Sequence, residues 1–243
     1  MIPQFSVSLM CMDLTRVADQ IRALNPLADA YHLDIMDGQF APDLALSPAW
    51  VRAVAPLAHV PLEAHLMTER PAMWIEPLAE AGVQILSPHA ETLGRDAFRV
   101  MEQIRSLGCS AGLVLNPMTP LSAVRHVLPR VDLLTLMTVD VGFAGQSLVP
   151  ETLPKISEAA RWREREGLGF RLQVDGACNE GTFARMRAAG ADVFVLGSTG
   201  LFSLSDDLGC AWQLMEEAFE RSTGEAVGDR EPMEARVGEG ALR

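Results

Sequence analysis

The chain has 243 residues, 49% of them hydrophobic and 21% charged, a composition typical of a globular protein with enough apolar residues for a core. Its formal net charge of −12 makes nucleic acid and anionic membrane surfaces unfavourable partners, and no segment is apolar enough over sufficient length to predict a membrane span. Because the four cysteines lack paired spacing and the amino terminus lacks the pattern of a secretory signal, we expect a cytoplasmic protein with reduced thiols.

Short apolar runs alternate with amphipathic stretches along the chain. The apolar runs predict β-strands, and the helical period of the stretches between them predicts helices. Strands are predicted at 5–9, 32–36, 62–67, 84–88, 111–116, 133–139, 170–175 and 193–197, and helices at 14–24, 71–81, 95–107, 121–127, 153–166 and 182–189. This alternation favours an α/β fold of the (β/α)₈ TIM-barrel type over its alternative, an open doubly wound sheet.

The chain divides by composition into a long and a short part. Residues 1–221 contain neither a linker nor a repeat, so they are predicted to form a single barrel domain. Residues 222–243 are rich in Gly, Glu and Arg and show no sustained apolar period. This composition predicts a mobile, disordered carboxyl-terminal extension.

Ionisable residues stand inside three of the predicted strands. His32 and Asp34 share one face of the second strand, His65 lies near the end of the third, and Asp175 ends the seventh. Active sites of such barrels lie at the carboxyl ends of the strands. One histidine taken alone is better explained as a hydrogen-bonded core group, but the four residues together predict a site for one divalent ion. Two imidazoles and two carboxylates suit Zn²⁺, Mn²⁺, Co²⁺ or Fe²⁺.

Two further patterns accompany these four residues. Met36, Met67 and Met137 occupy comparable positions near strand ends, where they are predicted to line the metal site or simply to fill the core. The loops 139–146 and 197–200 are rich in glycine and contain neither Lys nor Arg. Glycine lets successive backbone N–H groups converge on an anion, so these loops are predicted to hold a phosphate, with ordinary turns as the alternative.

At these residues the chain resembles the ribulose-phosphate 3-epimerase family. The resemblance extends from residue 8 to about residue 202 and therefore covers nearly the whole predicted domain. It implies a TIM barrel of the ribulose-phosphate-binding type, isomerase activity and a homo-oligomer. The matching segments are Ser8-Leu9, His32-Leu-Asp-Ile-Met-Asp-Gly38, His65-Leu-Met67, His89-Ala-Glu91, Asn116-Pro-Met-Thr-Pro120, Met137-Thr-Val-Asp-Val-Gly-Phe-Ala-Gly-Gln146, Val174-Asp-Gly176 and Gly197-Ser198.

The resemblance also implies a role for each residue of the site. His32, Asp34, His65 and Asp175 are implied metal ligands, and the two Asp are the implied acid/base groups on opposite faces of a phosphorylated ketose. One Asp would remove the C3 proton and the other return one, while the metal stabilises the enediolate. The implied substrate-binding residues are Ser8, His65, Gly142, Phe143, Ala144, Gly145, Gln146, Gly176, Ala177, Gly197 and Ser198.

Segments 8–14, 162–168 and 190–194 look more like the D-allulose-6-phosphate 3-epimerase branch. They predict interconversion of D-allulose 6-phosphate and D-fructose 6-phosphate, with D-ribulose 5-phosphate and D-xylulose 5-phosphate as the alternative pair. The other possible functions are a metal-dependent aldolase or hydrolase and a non-catalytic sugar-phosphate sensor. A sensor, however, has no need of two opposed carboxylates. Two positions depart from the family pattern: Val141 replaces a usual proline, and Asp43 replaces a usual asparagine.

Overall fold

The fold is taken from a computed structural model, which describes residues 1–228, 232, 233 and 235. In this part of the chain eight parallel strands form a closed barrel, in which each strand pairs with the next and the last pairs with the first. The predicted α/β TIM barrel is therefore confirmed. The strands are β1 Gln4–Ser8, β2 Ala30–Met36, β3 Leu62–Met67, β4 Ile85–Pro88, β5 Ser110–Leu115, β6 Leu133–Met137, β7 Arg171–Asp175 and β8 Val193–Leu196.

Helices connect the strands and cover the outside of the barrel. The α-helices are α1 Val17–Leu24, α2 Pro48–Val54, α3 Ala72–Glu80, α4 Ala90–Leu93, α5 Ala97–Ser106, α6 Thr152–Glu166, α7 Glu180–Ala189 and α8 Leu208–Thr223. Several begin at side chains that accept a backbone N–H of the first turn: Ser47 before α2, Asn179 before α7 and Asp207 before α8. Short 3₁₀ segments lie at Leu9–Cys11, Ala55–Leu57, Gly94–Asp96, Leu121–Val124 and Leu128–Arg130, and one π turn at Ser198–Phe202.

One predicted helix is wrong. The segment 121–127 does not form an α-helix. Its first residues, Leu121–Val124, form one 3₁₀ segment, and a second follows at Leu128–Arg130 before β6. Pro120 precedes the first segment and Pro129 lies inside the second. Proline has no backbone N–H and cannot continue an α-helical ladder, so the connection stays in short turns.

Met233 lies against the amino-terminal end of the barrel. Helix α8 continues to Thr223, and the buried Met233 donates its backbone N–H to the carbonyl of Asp29 at 2.9 Å. The extension predicted for 222–243 falls in part on residues outside the described chain, namely 229–231, 234 and 236–243. Both the predicted domain boundary and the predicted disorder therefore stay predictions. The side chain of Met233 packs with Ala30, Ile85, Leu133 and Val193.

Across the described residues, no helix combines the length and the apolar character that crossing a bilayer demands. All four cysteines are free thiols. Cys109 and Cys178 are buried, and burial raises the pKa of both thiols above the ordinary value.

Candidate active site

Strands β2 and β3 bring polar side chains next to one another inside the barrel. Their parallel register sets three pairs of residues side by side: His32 with Glu63, Asp34 with His65, and Met36 with Met67. Because alternate residues of a strand share a face, the three pairs form successive layers that rise toward the carboxyl ends of the strands. The predicted ligands therefore lie at the end of the barrel where active sites are built.

Two imidazoles and two carboxylates converge on one point. His32 Nε2 lies 3.2 Å from His65 Nδ1. One oxygen of Asp34 and one of Asp175 each lie 3.3–3.5 Å from both nitrogens, and all four ligand atoms fall within 4.8 Å of one another. Five of the six distances among these atoms are 3.2–3.5 Å, close to the separation of about 3.4 Å expected for ligands that each lie about 2.1 Å from a tetrahedral Zn²⁺. The donor set therefore fits a divalent ion.

Three of these four groups are buried, Asp175 is partly buried, and together they concentrate negative charge. Burial raises the pKa of Asp34 and Asp175, but the charge of His32 and hydrogen bonds from both imidazoles outweigh it. The pKa of each carboxyl group therefore lies below its ordinary value, at about 2 for Asp175. Burial lowers the pKa of His32, yet the carboxylates of Glu63, Asp34 and Asp175 hold it well above 6.5. An environment of this kind favours a cation at its centre.

A second group of polar side chains fixes the orientation of His32 through hydrogen bonds. His32 Nδ1 donates to Glu63 Oε2 at 2.9 Å, which leaves Nε2 to face the other three ligands. Glu63 is fully buried and also accepts from Ser87 Oγ at 2.8 Å and from Gln173 Nε2 at 2.8 Å. The amide of Gln173 in turn reaches Thr135 Oγ1 at 3.0 Å. The orientation of the His32 ring is therefore fixed by hydrogen bonds that involve several other strands.

His65 is supported by residues to which the sequence pattern assigns no role. His65 Nε2 lies 2.7 Å from His89 Nε2, and His89 Nδ1 lies 3.2 Å from Glu91 Oε2. Burial lowers the pKa of His89 to about 4, so this ring is neutral at pH 7. The available signal is a histidine at a strand end followed two residues later by a carboxylate. It sits inside the His89-Ala-Glu91 segment of the family resemblance.

The only lysine of the chain lies away from the ligands. Lys155 Nζ donates to the carbonyls of Asn116, Pro117 and Thr119 at 2.6–3.2 Å, and so anchors the loop that follows β5. Burial lowers its pKa to about 8, although the charge of Glu91 acts in the opposite direction. The side chain therefore holds a loop in place and does not line the cavity.

The cavity above the ligands is lined by the residues predicted from the sequence. Ser8 Oγ donates to Asp34 Oδ2 at 2.7 Å, which orients that carboxylate. His32 is the exception among the predicted residues, because it is fully buried just beneath the cavity floor. The predicted residues that line the cavity are Ser8, Asp34, Met36, His65, Met67, Met137, Gly142, Phe143, Ala144, Gly145, Gln146, Asp175, Gly176, Ala177, Gly197 and Ser198.

The loop after β6 lies across one side of this cavity. Gln146 Nε2 donates to the carbonyls of Asp140 and Phe143 at 2.6 and 2.8 Å, which closes the loop on itself. Gly142 has φ +114°, and a Cβ built on it would come within 2.8 Å of Pro42 Cδ. Glycine therefore allows this loop to rest directly on the loop that follows β2.

The loops after β7 and β8 form the adjoining side of the cavity. Gly176 has φ +101°, and a Cβ on it would meet Val139 Cγ2 at 2.5 Å. Ala177 follows with φ +50°, the one non-glycine residue with a positive φ in the described chain. Such backbone conformations cluster at functional sites. No lysine or arginine is found among the described residues that line the cavity.

The carboxyl-terminal tail aside, most of the chain matches one family of known proteins. The family model described as "Ribulose-phosphate 3 epimerase family" matches residues 4–202. Proteins named ribulose-phosphate 3-epimerase from Synechocystis sp. and Bacillus subtilis are each 39% identical over 193 residues, which are 79% of this chain and 84% and 88% of theirs. The protein of that name from Escherichia coli is 36% identical over 193 residues, covering 79% of this chain and 85% of its own.

Solved structures of lower identity share the barrel. KGPDC from Streptococcus mutans aligns with a TM-score of 0.67 at 13% identity, over 91% of this chain and 99% of that chain. 3-Hexulose-6-phosphate synthase from Salmonella typhimurium aligns with a TM-score of 0.61 at 14% identity, over 90% and 99%. At such identities the likeness supports the fold alone.

Proposed function

This chain belongs to the ribulose-phosphate 3-epimerase family, and we propose that it interconverts D-ribulose 5-phosphate and D-xylulose 5-phosphate. Its curated relatives are epimerases, so the chain is an isomerase. The observation that carries the proposal is the placement of Asp34 and Asp175, each within 3.5 Å of the same two imidazole nitrogens. Two carboxylates at one cation site can supply the base and the acid that inversion at a carbon next to a ketone needs.

The relatives support the pentulose phosphate better than the predicted D-allulose 6-phosphate. Two of the three segments that favour the hexulose branch lie away from the cavity: 162–168 spans the end of α6, and 190–194 enters β8 at the opposite end of the barrel. Residues in these two segments do not line the cavity and therefore cannot distinguish a pentulose phosphate from a hexulose phosphate. Only the segment 8–14 reaches the cavity, through Ser8, Met10 and Cys11.

Proton transfer is assigned to the two aspartates. Both carboxyl groups have a pKa below the ordinary value, so each is available as a base at neutral pH. One aspartate, as the carboxylate, removes the C3 proton from its side of the substrate. The other enters the step as the carboxylic acid and delivers its proton from the opposite side, which inverts C3, and proton exchange with solvent then resets the pair. The roles exchange in the reverse direction, as an epimerase needs.

The metal ligands proposed are His32, Asp34, His65 and Asp175. A divalent ion held there would supply Lewis-acid stabilisation of the enediolate, because the negative charge develops next to it. The identity of the ion, Zn²⁺, Mn²⁺, Co²⁺ or Fe²⁺, is left open by this donor set. The methionines at 36, 67 and 137 surround the site with buried apolar side chains, and a lining that excludes water strengthens electrostatic interactions within it.

The phosphate is assigned to the loops after β7 and β8. Gly176, Ala177, Gly197 and Ser198 lie on one side of the cavity and offer backbone N–H groups, in a molecule whose net charge of −12 opposes an anion. The loop at 142–146 is proposed to cover the bound substrate from the adjoining side. A homo-oligomeric state and a cytoplasmic location stay predictions from the sequence.

The test is a comparison of kcat/KM for D-ribulose 5-phosphate and D-allulose 6-phosphate on the same purified protein. We expect the pentulose phosphate to be the better substrate by at least about tenfold, a difference of about 1.4 kcal/mol in transition-state binding. Chelation should abolish both activities, and readdition of a divalent ion should restore them. A higher kcat/KM for the hexulose phosphate would favour the D-allulose 6-phosphate branch, and carbon–carbon cleavage or phosphate release would point to an aldolase or a hydrolase.

A further inference from the structure

We propose that His89 and Glu91 position His65 by fixing its tautomer, so that Nδ1 is always free to bind the cation. The inference rests on the proposed function, because it concerns a ligand of the proposed metal site. Neither residue belongs to the ligand set. His89 and Glu91 are therefore positioning residues, which act on the cation only through His65.

The three side chains form one continuous row of hydrogen bonds. His65 and His89 are both fully buried, with Nε2 to Nε2 at 2.7 Å, and His89 Nδ1 faces Glu91 Oε2 at 3.2 Å. The rings of His65 and His89 meet end to end, with centroids 4.9 Å apart and planes inclined by 29°, and the ring of Phe40 lies 4.6 Å from that of His89. With a neighbour on each side, the His89 ring has little freedom to turn.

Glu91 stands at the end of this row, and hydrogen bonds from other residues fix the position of its carboxylate. Its Oε1 accepts the backbone N–H of Asn116 at 2.9 Å and the hydroxyl of Thr119, so that only Oε2 is left for His89. An ionised carboxylate accepts hydrogen bonds but donates none. The proton between Glu91 and His89 must therefore sit on His89 Nδ1.

The proton on His89 Nδ1 determines where the proton of His65 lies. A neutral imidazole carries one N–H, so a proton on His89 Nδ1 leaves His89 Nε2 as an acceptor. The 2.7 Å contact then requires a proton on His65 Nε2. That proton leaves His65 Nδ1 with a free lone pair, and this is the atom that lies 3.3–3.5 Å from the two aspartates.

The tautomer of His32 is fixed directly by a carboxylate. Its Nδ1 donates directly to Glu63, which leaves Nε2 for the ligand role. Metal-bound histidines commonly donate their second N–H to a carboxylate or a carbonyl, and loss of such a partner typically weakens metal binding by about 10- to 100-fold. For His65 the partner is a second histidine, and the carboxylate stands one residue further out. Removing His89 would leave a buried N–H without an acceptor.

The first test is the affinity for Zn²⁺, measured on the full chain by competition with a chromogenic chelator. We expect His89→Phe, which has no acceptor, to bind Zn²⁺ about 10- to 100-fold more weakly than the wild type. His89→Gln retains a carbonyl oxygen for His65 Nε2 and should recover part of the affinity. Glu91→Gln should lie between the wild type and His89→Phe. The matched control is His126→Phe, because His126 is exposed and outside the row, and it should bind as the wild type does.

The second test needs no variant and so does not depend on how a variant folds. The chain has five histidines, so a ¹⁵N-histidine NMR spectrum of the Zn²⁺-loaded protein is sparse enough to assign. We expect His65 to show the pattern of a proton on Nε2 and His89 that of a proton on Nδ1. A His89 protonated at Nε2, or His89→Phe binding Zn²⁺ as tightly as the wild type, would overturn the inference and leave the proposed function intact. A His65 protonated at Nδ1 would overturn both, because that atom could then bind no cation. A wild type that binds no divalent ion would overturn both.

Discussion

Asp34 and Asp175 approach the same pair of imidazole nitrogens from different strands, each with one carboxylate oxygen 3.3–3.5 Å from His32 Nε2 and from His65 Nδ1. Their strands, β2 and β7, are not neighbours in the barrel. The two carboxylates therefore stand in equivalent positions relative to the proposed cation but on separate walls of the cavity. Such an arrangement suits a reaction in which the acid and the base exchange roles between the forward and reverse directions.

Loss of either carboxylate should stop inversion. For Asp175→Asn we expect kcat/KM to fall by at least about 100-fold, the lower range of what one acid/base group contributes, while the melting temperature stays near that of the metal-free wild type. The matched control is Asp43→Asn, an exposed residue outside the ligand set, which should keep kcat/KM within about twofold of the wild type. Substantial turnover by a folded Asp175→Asn protein would remove this residue from the mechanism.

Gly142 and Gly145 allow a test of the loop that covers the cavity. Both have a positive φ, but a Cβ on Gly142 would meet Pro42 at 2.8 Å, whereas a Cβ on Gly145 would meet nothing within 4 Å. We expect Gly142→Ala to lower kcat/KM by about 10- to 100-fold, since small displacements at a site are costly, and Gly145→Ala to have a clearly smaller effect. Steady-state kinetics on both variants decide the matter. Equal effects would mean that backbone strain alone matters and that the contact with Pro42 does not.

The bound cation should stabilise the fold. It would neutralise the carboxylates of the buried Asp34 and the partly buried Asp175, and a ligand that binds only the folded state adds about 2.7 kcal/mol of stability at one hundred times its Kd. We therefore expect the melting temperature to rise with added Zn²⁺ or Mn²⁺ and to fall after chelation. Asp34→Asn should lose most of this response. A melting temperature that is indifferent to divalent ions in the wild type would argue against a metal at this site.

Lys155 should give stability a measurable dependence on alkaline pH. Burial lowers its pKa to about 8 from 10.5, so between these values the unfolded chain holds more protons than the folded one. Stability then rises with pH across this window, by about 1.4 kcal/mol for each pKa unit of difference at most. We expect the free energy of unfolding of the wild type, relative to that of Lys155→Met, to increase from pH 8 to pH 10.5. Because cysteines and tyrosine titrate in both proteins, their contributions cancel, and a flat difference would contradict the prediction.

Much of the barrel can be predicted from the sequence because its strands are buried apolar runs of short, regular length. The third strand is predicted at 62–67 and observed as Leu62–Met67, while the other seven differ by one or two residues at their ends. The proposed ligands His32 and Asp34 can be identified because their alternation in an apolar strand leaves them on one buried face. The same period places Met36 above them.

Other parts of the site depend on contacts between distant segments, which no local pattern contains. His89 and Glu91 act through His65 and through the backbone at Asn116, residues that the barrel alone brings together. The buried position of Met233 at the amino-terminal end of the barrel likewise arises from a polar segment with no apolar period. In both cases tertiary packing, and not local propensity, decides where the side chain lies.

The most direct test of the central claim is the fate of the C3 hydrogen of D-ribulose 5-phosphate when the metal-loaded protein turns it over in D₂O. Because each aspartate exchanges its proton with solvent, proton NMR should show deuterium entering C3 as D-xylulose 5-phosphate appears. Chelation should abolish both changes. Epimerisation with the C3 proton retained, or products of carbon–carbon cleavage in place of the epimer, would contradict proton transfer through Asp34 and Asp175.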